Sequence, residues 1–422
     1  MKKLAIVYLL CLAILIVPLF LGVGPVVASV DDWSMFRGDL SHSGVSSTVP
    51  ATSADVVWKL ETGVPLDSSV AIVDGRIYVA GNDGKVYCLN AVDGSQIWVH
   101  SMPDQSAISS SIAVANGRIY FGSYDHYVYC LDASSGDAIW SCQTGDSIHS
   151  SPAVADGSVY VGSRDGDVYS LDALTGLKNW RFSTGGIVDS SPAVVDGKLY
   201  IGSADHNVYC LNAMNGVKIW SYTTGNAVLS SPAVVNGYVY IGSQDNSVYC
   251  LDAQTGAMVW SCQVQGIVDS SPAVVEGYVY IGSGILEGNT DKNIYCLDAT
   301  TGHKVWRYDT PDGVYSSPVV VGGYLYVGDW AGNFYCLNAT NGVKVWLYET
   351  GKITASPAVS NGLVYITSWD KSIYALGIQM GTNASPDLSL WVIGVGVVVV
   401  VVAVVAVLFI FVIRKKTKAT KR

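Results

Sequence analysis

Tryptophan recurs along this 422-residue chain at a nearly fixed interval, at Trp58, Trp98, Trp140, Trp180, Trp220, Trp260, Trp306 and Trp346. The spacings are 40, 42, 40, 40, 40, 46 and 40. A repeat of about this length is one supersecondary unit that cannot bury its apolar faces alone and must stack on copies of itself. This period constrains the fold more than any single motif does.

The clearest copy runs from Asp189 to Gly225 and, after its opening aspartate, reads SSPAVVDGKLYIGSADHNVYCLNAMNGVKIWSYTTG. It divides into four short apolar runs separated by Asp196-Gly197, the Ala204-Asp205-His206 turn and Asn215-Gly216. Runs of four to six residues rich in Val, Ile and Tyr, bounded by Asp-Gly or Asn-Gly, read as strands in tight hairpins. None is long enough for an ordinary helix. Most are apolar on both faces, as strands are when sheets pack on both sides. A four-stranded antiparallel meander repeated in this way predicts an all-β fold, a β-propeller.

The ends of the array give the blade count. Eight copies open on a Ser-Pro-Ala-Val-like motif, whose proline slot holds Val70, Ile112, Pro152, Pro192, Pro232, Pro272, Pro318 and Pro357. The last copy lacks a tryptophan strand, and the first tryptophan strand, around Trp58, has no blade of its own. Eight blades closed by the N-terminal strand follow, which leaves no free sheet edge between the chain's ends.

The Ala-x-x-Gly-x-x-x-Trp of Ala213 to Trp220 and the Leu-Asp-Ala-x-x-Gly-x-x-x-Trp of Leu251 to Trp260 resemble the tryptophan-docking repeat of pyrroloquinoline-quinone-type propellers. The segment Trp33-Ser34-Met35-Phe36-Arg37-Gly38 is similar to one that often precedes such propellers in secreted proteins. The resemblance covers residues 33–378. WD40 repeats fit poorly, since the sole Trp-Asp pair, Trp369-Asp370, falls in a turn. Kelch repeats fit no better, since diglycine occurs only at Gly185-Gly186 and Gly322-Gly323.

The flanks predict delivery and anchoring. Residues 1–28 carry Lys2 and Lys3, an apolar stretch and Val26-x-Ala28, the pattern of a secretion signal. Residues 29–50 read as irregular structure on the propeller rim, 51–378 as the propeller, and 379–387 as a linker. Residues 388–413 form an apolar run of the length of a transmembrane helix, and 414–422 a basic tail. The expectation is a single-pass membrane protein with its tail cytoplasmic and its propeller extracytoplasmic.

Between signal and tail stand 16 basic and 34 acidic residues, an excess of 18 negative charges. That balance argues against a nucleic-acid partner. Cys88, Cys130, Cys210, Cys250, Cys296 and Cys336 share one slot and read as small core residues. Cys142 and Cys262 lie twelve residues after Cys130 and Cys250, which makes Cys130–Cys142 and Cys250–Cys262 candidate cross-strand disulfides. Asn338 and Asn383 open glycosylation sequons.

In a propeller the first strand of each blade lines the central channel. The residue before the Ser-Ser pair therefore marks a ring at the channel mouth: Asp67, Ser109, His149, Asp189, Leu229, Asp269, Tyr315 and Thr354. The frame around this slot hardly changes between copies, whereas the slot does. Asp67, His149, Asp189, Asp269, Tyr315 and Thr354 are the candidate ligand-binding residues. Asp67, Asp189 and Asp269 are candidate oxygen ligands for a divalent cation such as calcium; no other cofactor is expected. The turn aspartates Asp83, Asp125, Asp165, Asp205, Asp245 and Asp370 read as turn formers.

The resemblance implies two functions. Quinoprotein dehydrogenases of this type set adjacent cysteines against the quinone and add long calcium-binding loops. This chain has no Cys-Cys pair and a single sizeable insertion, residues 284–292. The reading favoured is a non-catalytic scaffold for a protein or surface polymer, like envelope assembly propellers, with a quinone- or metal-dependent oxidoreductase as the alternative.

Overall fold

The repeating unit folds as its turns dictate. Asp196-Gly197 joins the first two strands of its blade with φ of 50° and 69°, and Asp74-Gly75, Asn116-Gly117 and Asn361-Gly362 repeat the pattern. Two successive positive φ values are those of a type I′ turn, whose twist matches that of the strands it joins. The computed structural model describes residues 32–284 and 291–378.

Eight four-stranded antiparallel blades result. Blade 1 runs outward through Ala71–Val73, Arg76–Ala80, Lys85–Asn90 and Gln96–Ser101. Blades 2 to 7 repeat it, with innermost strands Ala113–Ala115, Ala153–Ala155, Ala193–Val195, Ala233–Val235, Ala273–Val275 and Val319–Val321. Blade 8 has Ala358–Ser360, Leu363–Ser368 and Ser372–Gly377, and its outer strand is Val56–Glu61 from the N-terminal side. Ring closure by the N-terminal strand is therefore as expected.

The core is distributed between blades. One buried cluster joins Tyr78, Val86 and Cys88 of blade 1 to Ile119, Phe121 and Leu131 of blade 2, and others repeat this around the ring. Each ruler tryptophan reaches across a blade interface. Its Nε1 donates to the carbonyl of Ala91, Ala133, Ala173, Ala213, Ala253, Ala299, Ala339 or Ala51, at 2.9 to 3.3 Å. In all but Trp346 the indole lies against a glycine of the next blade. A Cβ at Gly216, for example, would stand 2.7 Å from the Trp180 ring.

Inside the channel the second serine of each Ser-Ser pair forms a collar. Ser69 N–H donates to Ser111 Oγ, Ser111 to Ser151, and so on through Ser191, Ser231, Ser271, Ser317 and Ser356. Ser356 N–H returns to Ser69 Oγ. All eight links measure 2.9 to 3.3 Å.

Residues 29–50 were expected on the rim, and for residues 33–49 the structure corrects this. They make a circuit inside the channel at the end away from the mouth. Carbonyls of Trp33, Ser34, Leu40, Ser41, Ser43, Gly44 and Val49 accept the N–H groups of Ile72, Val114, Val194, Val234, Val274, Val320 and Gly362 in turn. Val45–Ser46 pairs in parallel with the innermost strand of blade 7. The channel edges of the inner hairpins carry N–H groups with no partner in their own sheet, and this strap satisfies them.

Two further expectations are corrected. All eight cysteines among the described residues are free. Cys130 faces Trp140 and Cys142 faces Val128; Cys250 faces Trp260 and Cys262 faces Val248. Each supposed pair is thus diagonal rather than opposite, at a typical separation of about 7–8 Å, too far for a disulfide. The expected single-pass localisation is not supported either. Among the described residues every regular element is a strand, and no helix is long and apolar enough to cross a membrane. The segments behind that expectation, 1–28, 388–413 and 414–422, lie outside the described residues, as do the 379–387 linker and Asn383.

Candidate functional site

The mouth is built by two features of every blade: the residue before the Ser-Ser pair, and the turn between the second and third strands. In five blades the first serine of the pair fixes this geometry. Ser190 Oγ accepts the N–H of Gly202, and Ser110, Ser150, Ser230 and Ser270 do the same in their blades. Asp67, Ser109, His149, Asp189, Leu229, Asp269, Tyr315 and Thr354 are all half-buried above the collar.

Their partners come mainly from the turn residue three before the third strand, which sequence reasoning passed over. At this position Arg164 supplies a guanidinium that grips Asp189 with two bonds, Nε to Oδ1 at 3.0 Å and Nη2 to Oδ2 at 2.8 Å. Gln244 donates to both oxygens of Asp269 at 3.1 and 3.3 Å. Tyr124 stacks on His149 with ring centroids 4.4 Å apart, and Trp330 packs on Tyr315 at 4.9 Å. Asp67 accepts from Thr354 Oγ1 at 2.7 Å, Trp369 Nε1 at 2.6 Å and Asn82 Nδ2 at 2.9 Å. The signal for this second ring was present in the variation of Asn82, Tyr124, Arg164, Ala204, Gln244, Trp330 and Trp369 between otherwise uniform turns.

The electrostatics follow from this crowding. Burial, with the charge of Asp189 adding, lifts the Asp269 carboxyl to about 6. Burial also holds the His149 imidazole below its usual range, against the pull of Asp189. The side-chain hydrogen bond to Asp189 raises the Arg164 pKa further, so the guanidinium keeps its charge at neutral pH. Each carboxylate is thus held by its own donors, and no group of three or more metal-ligating side chains occurs among the described residues.

The other candidates serve the fold. Asp165, Asp205 and Asp245 accept the hydroxyls of Tyr169, Tyr209 and Tyr249 at 2.7 Å and the N–H groups of Gly145, Gly185 and Gly225. Asn338 Oδ1 caps a hairpin by accepting from Thr340 and Asn341 N–H.

The far end is closed. Arg37 on the strap is fully buried and donates to the carbonyls of Pro318 and Pro272 at 2.5 and 2.8 Å. Burial, partly offset by Asp39, lowers its pKa to about 9, so it remains a cation at neutral pH. His42 is buried beside it, and burial lowers its pKa to about 4. A cavity of about 650 Å³ opens at this end between blades 1 and 2, near Asp32, Asp74 and Arg76. Its one aromatic, Tyr78, is committed to the Ala133 carbonyl. The mouth, by contrast, exposes Tyr124, Trp330 and Trp369.

Closed ring, docked tryptophans and variable mouth define an eight-bladed propeller with pyrroloquinoline-quinone-like repeats. Two family profiles match parts of the chain. One, described as the outer membrane protein assembly factor BamB, matches residues 42–109 and 290–392. The other, described as the β-propeller of a β-alanine-activating enzyme, matches residues 132–323. None of the curated proteins matches the chain.

Among solved structures, BamB from Moraxella catarrhalis is 22% identical with a TM-score of 0.67, over 78% of this chain and 99% of that one. A quinohemoprotein alcohol dehydrogenase, ADHIIG from Pseudomonas putida HK5, is 17% identical with a TM-score of 0.70, over 85% and 82%. A europium-containing methanol dehydrogenase is 16% identical with a TM-score of 0.68, over 82% and 89%. At these identities the likeness is one of fold.

Proposed function

We propose that the chain is a non-catalytic binding scaffold whose channel mouth takes a protein partner. The observation that carries this reading is the composition of the mouth: exposed Tyr124, Trp330 and Trp369 and the half-exposed Arg164 stand on a rigid, uniform frame. Tyrosine, tryptophan and arginine are the residue types that dominate binding energy at protein interfaces. Variable groups on an invariant scaffold are how a propeller displays a site. The match to the profile described as an outer membrane protein assembly factor supports the same class of role.

A photo-crosslinking residue placed at Ser109 or Leu229 tests it. The partner is expected to be trapped there, and to be lost when Tyr124 and Trp330 are both changed to Ala. Trapping only from Val217, on the outer hairpin of blade 4, would move the binding surface to the propeller's side.

A second reading rests on the likeness to two dehydrogenases. In it the same mouth works as a quinone-dependent oxidoreductase. Alcohol-dependent dye reduction after loading with pyrroloquinoline quinone and calcium would establish that reading and displace the first.

A further inference from the structure

One sector of the mouth already holds a cation against aromatic faces. Trp330 and Trp369 sit in equivalent turns of the adjacent blades 7 and 8 and are 36% and 39% exposed. Lys352, from the loop joining those blades, lies between them. Its Nζ is 4.4 Å from the centroid of the Trp330 ring and 5.0 Å from that of Trp369. No ion pair among the described residues includes Lys352. The face of an indole is the best uncharged surface for an ammonium, and here two are used at once.

The walls are fixed and the occupant is not. Trp369 is held through Nε1 by Asp67, which Thr354 also holds. The Trp330 backbone N–H donates to the Gly313 carbonyl, and its ring packs on Tyr315. The Trp369 backbone N–H donates to the Lys352 carbonyl at 3.0 Å. The Lys352 backbone is thus part of the box, while its exposed side chain can leave without breaking any of these bonds.

We infer that this box is a recognition site for a cationic group of the partner, such as a lysine side chain or a quaternary ammonium, and that Lys352 is its displaceable resident. The carboxylate of Asp67 at the base favours a cation over an anion, as does the acidic balance of the chain. The inference rests on the mouth being the docking face. It adds the chemistry of the group that docks in this sector.

The test follows the indole ¹H–¹⁵N signals of Trp330 and Trp369, assigned by changing each to Phe, during titration with tetramethylammonium chloride. Sodium chloride controls for ionic strength. In Lys352→Ala both signals should shift saturably, with an affinity about fivefold above that of the unaltered chain. Trp330→Leu in the Lys352→Ala background should abolish the shift, while an unchanged melting curve shows that the fold is kept. A lysine-containing peptide should compete with tetramethylammonium. No saturable shift in Lys352→Ala, or no gain over the unaltered chain, overturns the inference.

Crosslinking from Ser109 in the same variants separates the two claims. A partner trapped without tetramethylammonium binding defeats only the cation box. Tetramethylammonium binding with no partner trapped at the mouth leaves the box standing and defeats the docking reading.

Discussion

Two arginines mark the two ends of the channel. Arg37, at the far end, is fully buried, and its Nη1 and Nη2 donate to backbone carbonyls of blades 7 and 6. Arg164, at the mouth, is partly exposed and pairs with the side chain of Asp189. The same repeat makes both ends, yet one is welded shut by main chain and the other is finished with exchangeable side chains. Stability and specificity are thereby separated along one axis. The far end can be altered only at the cost of the fold, whereas the mouth can be altered freely.

Removing the strap should have the largest effect. Deleting residues 32–49 strips the partners from seven N–H groups of the inner hairpins, each of which contributes about 1 kcal/mol net. Melting should fall by on the order of 10 °C, measurable by calorimetry. A deletion variant with an unchanged melting temperature would erase the distinction between the ends.

The arginines come next. Arg37→Met leaves the Pro272 and Pro318 carbonyls unpaired in a buried site and should cost about 3 kcal/mol in denaturant unfolding. Arg164→Ala should cost less, about 1 kcal/mol, because the guanidinium is 38% exposed and water can replace it. Equal losses would mean that the mouth is as structural as the plug.

The pH dependence separates the two ends as well, because its sign differs between them. His42 binds its proton below about 4 when folded but near 6.5 when unfolded. Between those values the unfolded state holds more protons, so stability climbs with pH. Asp269 titrates at about 6 when folded and near 3.9 when unfolded. Over that window the folded state holds more protons, so stability falls as pH rises. Asp269→Asn should therefore stabilise the protein at pH 7 by about 1–2 kcal/mol. His42→Asn should flatten the rise between pH 4 and 6.5. Unfolding curves at pH 4.5 and 7 are sufficient to detect both.

What could be read beforehand divides along the same axis. Blade number and ring closure were legible because each blade repeats the same side chains, above all the docking tryptophan, at a fixed offset. The mouth ring was legible for the same reason, as the variable slot before a Ser-Ser pair that only the last copy alters, to Ala355-Ser356. Its second ring was missed because Arg164, Gln244 and Trp330 sit in turns whose aspartates already explained them. The strap was illegible because it bonds mostly through carbonyls, which leave no residue pattern. Even Arg37 serves backbone atoms more than 200 positions away. The disulfide expectation failed on register, since a twelve-residue spacing does not say which residues face each other once a bulge intervenes, as it does between Ala138 and Trp140.

The serine collar has a consequence for how such a molecule can change over time. Its eight bonds all run in one rotational sense and return to their start, so every blade gives one link and receives one. A circle of this kind has no terminal member and needs no special closing residue. A blade added or lost by duplication or deletion would bring or remove one matched donor and acceptor together. The collar also sets a common level for all blades, like a hoop on staves. The residues just above it have been free to diverge into Asp, His, Leu, Tyr or Thr without any blade slipping along its neighbours.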